Sequence, residues 1–389
     1  MTASAPPAVL CVGECLFDGL PDGIFLGGAP LNVAVHLSEL GVRTSFASAV
    51  GDDRLGVEAV RRLQSRGVDT SLVSTVAAET GFVTVELDDA GDASYEFATP
   101  AAWDLVPTDG VASAAGAVDA VVYGTLASRA AATRAAIGAA RASARLAVCD
   151  INLRPPFDDA VVVAEAARGA DLLKLADEEV VAVAAALQAH GAAVDVDAAA
   201  AAVAAAEGLG SGGAIGAAVA AAALGRAAGA SCVVVTRGAA GAVLWERVGG
   251  GGSGGEGGGE EAAEEEAFSC GGYAVGSGTV DTVGAGDAFL AALLSRRLLG
   301  ASAAEALEAG CRLGAFVASR PGATPAHDAA AIAALAPVGP SSVCLTRELL
   351  GAAQPRQGGA AVACVGEPSI DPSVVAAARA GDSEWANEG

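Results

Sequence analysis

Aromatic residues are scarce in this sequence. Phe, Trp and Tyr make up 4% of its 389 residues, although 53% of the residues are hydrophobic. A hydrophobic content this high excludes an intrinsically disordered chain. The core must therefore be built mainly from Ala, Val and Leu, and the length allows one large domain or two modest ones.

Histidine pairs and closely spaced cysteine pairs are also missing. The three histidines stand far apart, and the eight cysteines include no C-x-x-C pair. Structural zinc sites are usually built from two such ligand pairs, so the sequence argues against zinc. Several cysteines lie in apolar strand-like runs, which is typical of buried, reduced thiols in an intracellular protein.

Membrane and secretion signals are absent from the sequence pattern. Gly or charged residues interrupt every apolar run before it reaches membrane-spanning length. Residues 1–7 carry no basic region ahead of an apolar run, and Arg and Ser are too few there for a typical transit peptide. We expect no membrane partner and a cytoplasmic protein, with a plastid location left open as the alternative.

Basic residues are outnumbered two to one. The 22 Lys and Arg residues face 46 Asp and Glu residues, for a net charge of −24. An acidic chain repels nucleic acid, so we expect no nucleic-acid partner. A polyanion such as ATP would have to be met by local hydrogen-bond donors or by Mg²⁺.

Short apolar segments alternate with helix-like segments along most of the chain. Strands are predicted near 9–12, 44–50, 118–123, 146–149, 172–175 and 232–236, and helices over 31–40 and 54–66. This alternation predicts a three-layer α/β/α fold around a central, mostly parallel sheet. The run 82–87, a turn and a return strand over 93–98 predict a hairpin of a small β-sheet lid.

The predicted α/β domain covers residues 8–335. Its lid strands are expected within 14–28 and 81–104. Residues 340–389 show little periodicity and are expected to form a poorly ordered C-terminal extension.

Two low-complexity segments are interpreted as inserts in this domain, an Ala-rich one over 184–230 and a flexible Gly/Glu-rich one over 249–267. Residues 208–213 formally match the dinucleotide motif G-x-G-x-x-G. They follow a helix-like run rather than a strand, so we do not interpret them as a dinucleotide site.

The most informative motif is the segment 281–289, with the sequence DTVGAGDAF, which an apolar helix should follow over about 288–299. A helix that begins on Gly-Ala-Gly presents backbone N–H groups that can hold an anion, and Asp287 adds a carboxylate beside them. Donors for a phosphoryl group and a base for an attacking hydroxyl suit phosphoryl transfer. Taken alone, the motif fits a glycine-rich turn, with Asp287 facing the helix dipole, equally well.

Two segments near the N-terminus predict a ligand site. Asp18 follows the first strand, where ligands of α/β proteins usually bind. The run 27–32, GGAPLN, begins the first helix. Its glycines permit close approach of a ligand, and Asn32 can both donate to and accept from hydroxyl groups. Either segment alone is also compatible with an ordinary turn.

Three loops that follow later strands carry further candidates. Arg154 can meet a phosphate or a sugar oxygen, or be a surface arginine. Thr236 can donate to a phosphate in a tight turn that its following glycines permit. Glu179, taken alone, fits an ordinary first-turn helix residue.

Together these segments resemble the ribokinase-like carbohydrate kinases of the phosphofructokinase-B type, over roughly residues 9–325. Residues 281–294 resemble the C-terminal signature of that family, and residues 13–32 its N-terminal signature. The loops 99–104, 123–129 and 150–157 are most similar to those of fructokinases. The joint occurrence of both signatures is more specific than any single glycine loop.

The resemblance implies a ribokinase-like fold and a role for each candidate. Asp287 would be the catalytic base, and Gly284, Ala285 and Gly286 would form the anion hole. The other implied roles are sugar binding by Asp18, Gly28, Asn32 and Arg154, nucleotide binding by Thr236, Gly238, Gly241 and Gly286, and metal binding by Glu179 for Mg²⁺ and Asp281 for a monovalent cation such as K⁺. One position departs from the family, because Ala176 replaces an Asn three residues before Glu179.

The implied activity is ATP-dependent phosphorylation of a sugar hydroxyl, with fructose as the leading substrate. Ribose, 2-keto-3-deoxygluconate and a nucleoside such as adenosine stay open. A non-catalytic relative that acts as an interaction protein, or a nucleotide-binding sensor, is the rival interpretation. Pairing of lids in the family makes a homodimer the expected assembly.

Overall fold

The computed structural model describes residues 5–20, 23–87, 93–205, 211–248, 264–275, 281–338 and 343–345. The strands within these ranges are β1 Ala8–Val12, β2 Leu16–Leu20, β3 Gly23–Gly27, β4 Arg43–Gly51, β5 Asp69–Val76, β6 Gly81–Leu87, β7 Ala93–Phe97, β8 Ala120–Gly124, β9 Ala147–Asp150, β10 Leu172–Ala176, β11 Cys232–Thr236, β12 Ala242–Val248, β13 Glu264–Cys270 and β14 Val343–Leu345.

The α-helices within the same ranges are α1 Ala29–Glu39, α2 Arg54–Ser65, α3 Val111–Gly116, α4 Ala131–Ser143, α5 Ala160–Ala167, α6 Val180–Ala189, α7 Val196–Ala204, α8 Ser211–Ala228, α9 Ala285–Leu298, α10 Ala303–Ala318 and α11 Ala329–Ala334. None of the helices in this part of the chain is both long and apolar enough to cross a membrane.

The large sheet has the order β14-β13-β12-β11-β10-β9-β8-β1-β4-β5. The run from β11 to β5 is parallel, and β12, β13 and β14 extend it with antiparallel pairs. The inner parallel strands β1, β8, β10 and β11 are almost entirely buried, which fits their content of Val, Leu and Ala. The predicted central, mostly parallel sheet is confirmed.

Helices cover both faces of the large sheet. One apolar cluster packs α3 to α8 against one face, and a second packs α1, α2, α9 and α10 against the other. Alanine supplies much of the first cluster, and Trp103, Trp245 and Tyr123 are its large, fully buried side chains. The predicted three-layer α/β/α arrangement is therefore confirmed as well.

A second sheet of four strands, in the order β3-β2-β6-β7, stands apart from the large one. Strands β2 and β3 form a hairpin between β1 and α1, and β2 pairs in parallel with β6. All four strands lie within the ranges expected for the lid strands, 14–28 and 81–104. The separate small sheet itself agrees with the predicted lid.

The segments interpreted as inserts contain regular structure. Within 184–230 the chain forms most of α6, all of α7 and α8, and side chains of these helices belong to the core. The Gly/Glu-rich segment ends earlier than expected, because residues 264–267 already belong to β13. Residues 249–263, and 340–389 except for 343–345, lie outside the described residues, so their predicted flexibility stays a prediction.

Candidate active site

The candidate site lies at the carboxyl edge of the parallel strands. Strands β1, β9, β10 and β11 end there, and each is followed by polar residues. Because parallel strands present their carboxyl ends at one edge, loops far apart in sequence meet in one crevice. The N-terminus of α9 reaches the same edge, since Gly286 in its first turn lies against Lys174 near the end of β10.

Asp287 stands in the first turn of α9 and is 7% exposed. Its Oδ2 accepts a hydrogen bond of 2.8 Å from Nδ2 of Asn32 on α1. Burial raises the pKa of the Asp287 carboxyl, whereas the charge of Lys174, the Asn32 hydrogen bond and the charge of Arg154 act in the opposite direction. The structure thus brings the predicted base Asp287 into contact with Asn32, a predicted sugar-binding residue that lies 255 positions away in sequence.

The turn before α9 leaves two backbone donors available. Gly284 has φ of 76°, and a Cβ there would lie 2.3 Å from the carbonyl oxygen of Ala323, so glycine is required. The N–H of Ala285 donates to the Thr282 carbonyl over 3.2 Å. Within the described residues, no acceptor occupies the N–H of Gly284 or Gly286. Two of the three predicted anion-hole donors are therefore free to receive an anion.

Asp281 closes that turn from below. Its Oδ1 accepts from the N–H of Val283 at 2.9 Å, and its Oδ2 accepts from the N–H of Gly322 at 3.2 Å. The carboxylate therefore ties the α9 turn to the loop after α10. Its predicted role toward a monovalent cation stays a prediction.

A buried ion pair lies beneath α9. Nζ of Lys174 on β10 donates to both carboxylate oxygens of Asp150 on β9, at 2.9 and 3.0 Å. The same Nζ lies 2.9 Å from the position that a Cβ on Gly286 would take. Burial lowers the pKa of Lys174, but the charges of Asp150 and Asp287 outweigh it and the pKa is raised.

Glu14, which follows β1, is 3% exposed. Its Oε1 accepts from the N–H of Ala29 at 2.9 Å, at the start of α1. Burial raises its pKa to about 7, and the Asp287 charge adds to that effect. Gly28 has φ of 120°, and a Cβ there would lie 2.4 Å from the Glu14 carbonyl oxygen. The predicted glycine thus lets α1 begin directly against the Glu14 turn.

Two acceptor atoms in this region are buried without a partner within the described residues. They are Oε2 of Glu14 and Oδ1 of Asn32. Buried acceptors that lack a donor are costly, and they usually mark a place where a ligand or water binds.

Asp18 lies on β2 of the small sheet. Burial raises its pKa to about 6, and the charge of Arg154 opposes the rise. Arg154 is exposed, and its guanidinium also acts on Glu14, Asp150 and Asp287. The sequence-predicted residues Asp18, Asn32, Arg154 and Asp287 therefore share one electrostatic environment.

Glu179 does not present an open carboxylate. Its Oε1 accepts from the N–H of Leu153, at 2.5 Å, and its Oε2 accepts from the N–H of Ala176, at 2.8 Å. It thus fixes the loop that carries Arg154 to the end of β10. Each oxygen keeps a further lone pair, so the predicted metal role could operate through water.

The turn after β11 contains Thr236, Gly238 and Gly241. Oγ1 of Thr236 contacts the carbonyl of Leu175 at 3.4 Å, which places the turn beside β10. Gly238 and Gly241 have φ of 49° and 90°. A Cβ on Gly241 would lie 2.0 Å from a backbone oxygen of β13, so the tight turn requires glycine.

A histidine pair holds the loop after α10 against α1. Nε2 of His36 lies 3.0 Å from the carbonyl of Ala323, and its Nδ1 lies 2.9 Å from Nε2 of His327. A carbonyl only accepts, so Nε2 of His36 carries the proton. Burial and the charge of His327 lower the pKa of His36 to about 3. The neutral ring therefore fixes the loop that borders Gly284.

Sequence patterns missed Glu14, Asp150 and Lys174 as members of this constellation. Glu14 looks like part of a turn, and Asp150 and Lys174 look like strand residues. One signal was available, since Lys174 is the single lysine among the 22 basic residues.

Comparisons with known proteins also identify carbohydrate kinases. The model of the pfkB family carbohydrate kinases matches residues 23–330. The chain is similar to the fructokinase of Escherichia coli, 40% identical over 103 residues, and to that of Salmonella typhimurium, 34% identical over 189 residues. These matches cover 25% and 44% of this chain, and they span 34% and 61% of the two relatives.

Among solved structures, the fructokinase of Vibrio cholerae O395 in its fructose, ADP and calcium ion bound form superposes with a TM-score of 0.61. The identity is 24%, and the match covers 84% of this chain and 98% of that one, which establishes a ribokinase-like fold. With the family model matching most of the chain, this protein belongs to the pfkB family of carbohydrate kinases.

Proposed function

We propose that the protein transfers the γ-phosphoryl group of ATP to a hydroxyl of a small neutral sugar, with fructose as the leading candidate. The observation that carries the proposal is the contact between Asp287 and Asn32 at the N-terminus of α9, beside the free N–H groups of Gly284 and Gly286. A hydroxyl held there has a base and an anion site within reach.

Asp287 would accept the proton of the attacking hydroxyl. Its burial favours proton uptake, whereas Lys174 keeps positive charge close to the carboxylate. The N–H groups of Gly284 and Gly286, at the positive end of α9, would then stabilise the charge on the transferred group.

The nucleotide would enter over the β11 turn and the loop after α10. No group of three or more potential metal ligands occurs within the described residues. Glu179 and Asp281 are both bonded to backbone N–H groups, so they could reach an ion only with their remaining lone pairs. This donor set fits an ion such as Mg²⁺ that arrives on the ATP phosphates and keeps several waters. Bound in that way, Mg²⁺ would reduce the negative charge of the polyphosphate.

The acceptor groups around Asp287 favour a neutral polyhydroxylated substrate. Oε2 of Glu14 and Oδ1 of Asn32 lack donors, and Asp18 adds a further carboxyl. Sugar hydroxyls can supply those donors, whereas the carboxylate of 2-keto-3-deoxygluconate would meet like charge. The fructose-bound Vibrio cholerae neighbour agrees with this choice. Ribose and adenosine remain candidates for the test.

The test is ADP release from Mg-ATP in the presence of fructose, ribose, 2-keto-3-deoxygluconate or adenosine, with and without K⁺. We expect fructose-dependent release, and K⁺ stimulation if Asp281 supports a monovalent cation. Asp287→Asn should lower kcat by about 10³-fold or more and leave ATP affinity within a few-fold, because a base acts only in the chemical step. A variant that keeps near wild-type kcat contradicts the assignment.

A non-catalytic relative is the second candidate, because Ala176 stands where the family carries Asn. Folded protein that binds ATP but releases no ADP with any sugar would favour it. Ala176→Asn then becomes the deciding variant, since recovered turnover would assign the defect to this position. The homodimer stays a prediction, to be measured by sedimentation.

A further inference from the structure

The chain contains one lysine, Lys174, among 22 basic residues. All other cationic side chains are arginines, which suit exposed pairs such as Arg61 with Glu58 on α2. The single exception lies in the candidate site, where its side chain is 7% exposed.

The space around the side chain explains why position 174 holds a lysine rather than an arginine. Lys174 and Asp150 are direct cross-strand partners on β10 and β9. The ammonium bonds both oxygens of Asp150 and also lies 2.9 Å from the Cβ position of Gly286. A planar guanidinium is larger than an ammonium and would press on the α9 backbone there. An ammonium has three donors, and two of them point at Asp150.

The charged groups that interact electrostatically with Asp287 come from four places. Lys174 lies on β10, Asp150 on β9, Glu14 after β1 and Arg154 in the loop after β9. Asn32 on α1 contributes the one hydrogen bond. Arg154 is exposed to solvent, so Lys174 is the one buried cation among these groups. Three carboxylates would otherwise surround the place where a polyanion must bind.

We propose that Lys174, held by Asp150, is a positioning residue of the transfer centre, whose ammonium favours the ionised form of Asp287 and adds positive charge beneath the α9 anion site. The proposal rests on the proposed kinase function for its kinetic consequences. The coupling of Lys174 to Asp287 can be measured whether or not the protein turns over a sugar.

The kinetic test is the pH profile of kcat with fructose and Mg-ATP. The single variant Lys174→Met leaves Asp150 buried without a partner and can fail to fold. The main variant is therefore Lys174→Met/Asp150→Asn, which replaces both charged side chains of the pair by neutral ones. We expect its acid limb to move to higher pH by about one unit or more, with kcat at pH 7 lowered about tenfold or more, because Asp287 now holds its proton more tightly.

Two further variants make the result specific. Asp150→Asn keeps the ammonium and removes a carboxylate, so its acid limb should stay or move to lower pH. Arg61→Met removes an exposed cation and should leave the limb unchanged. A merely structural role predicts reduced folded protein with an unmoved limb, and that outcome in the double variant would overturn the proposal.

The second test needs no turnover. Protein labelled with ¹⁵Nζ-lysine gives a single side-chain signal that requires no assignment, and its titration reports Lys174 directly. We expect a midpoint above that of free lysine, lowered in Asp287→Asn and unchanged in the exposed-site control Glu58→Gln. An unchanged midpoint in Asp287→Asn overturns the coupling. A lowered midpoint in protein without kinase activity would support the coupling while the kinase function fails.

Discussion

At the scale of single residues, the candidate site contains groups whose burial lowers the stability of the folded protein. Glu14 is buried with one oxygen bonded to Ala29 and the other without a partner in the described structure. Its pKa of about 7 in the folded state, against an ordinary value of 4.5, means that folding favours its protonated form. Such a residue is expected where binding, rather than stability, determines the side chain.

Glu14→Gln should therefore stabilise the protein at alkaline pH. The wild-type contribution is fully present below about pH 4.5 and is lost as pH rises through about 7, because the unfolded chain releases the proton first. We expect the free energy of unfolding in urea to rise by about 1–3 kcal/mol at pH 8 and to change little near pH 4.5.

Glu165→Gln on the exposed side of α5 is the matched control and should show no such pH dependence. Activity should move the other way, since Gln in place of Glu14 turns one acceptor into a donor that faces the sugar. A variant with unchanged stability at both pH values would show that burial does not perturb this carboxyl.

At the scale of elements, a sandwiched arginine joins the small sheet to the loop of Arg154. The Arg129 guanidinium lies 3.9 Å from the ring centre of Trp103 and 4.3 Å from that of Phe157. It also donates to both oxygens of Asp104, each at 2.9 Å. Phe157 in turn makes an edge-to-face contact with Phe97 at the end of β7. Aromatic contacts thus connect β7 to the 152–157 loop.

Arg129→Met should cost about 3–5 kcal/mol of unfolding free energy, because it leaves Asp104 buried and unpaired. The double variant Arg129→Met/Asp104→Asn should recover most of that loss. In both variants we expect KM for the sugar to rise more than kcat falls, since the Arg154 loop loses its support. Urea unfolding and initial rates check this, and equal losses in both variants would assign the cost to packing alone.

At the scale of the whole molecule, the sequence predicted the layers better than the edges. Parallel strands such as β1 and β8 are continuous apolar runs between helices, and their pattern does not depend on partners. The antiparallel extension β12–β14 was missed because the Gly/Glu-rich segment stands where a short hairpin turn would be recognised. The bounds of the Ala-rich helices α6 to α8 could not be predicted because alanine shows little contrast between buried and exposed faces.

The residues of the candidate site likewise fall into those that a local motif predicts and those that depend on how the elements pack. Asp287, Asn32 and Asp18 could be predicted because each belongs to a local motif of glycines and polar residues. The Lys174–Asp150 pair could not, because it depends on the register of β9 and β10, which no local pattern specifies. Orphan acceptors such as Oε2 of Glu14 are likewise visible only once the surrounding elements are packed.

Residues 249–263 connect β12 to β13. Val248 and Glu264, which flank them, are direct partners in the β12–β13 pair. Replacing the segment by Asn-Gly should raise the unfolding free energy by about 1–2 kcal/mol, because a shorter loop loses less entropy on closure. A Gly/Ser segment of equal length is the control and should match the wild type. Lost folding or turnover in the short variant would show that the segment has a structural or functional part.

Helix α1 contacts two separate parts of the candidate site. Asn32 and His36 lie one turn apart on the same face of that helix, and they bond to Asp287 and to the Ala323 loop, respectively. Under the proposed function, α1 would therefore set the distance between the sugar side and the nucleotide side of the site, at about 6 Å along the helix axis. This spacing is set when the chain folds, so under the proposed function the alignment of donor and acceptor would not have to be found anew in each catalytic cycle.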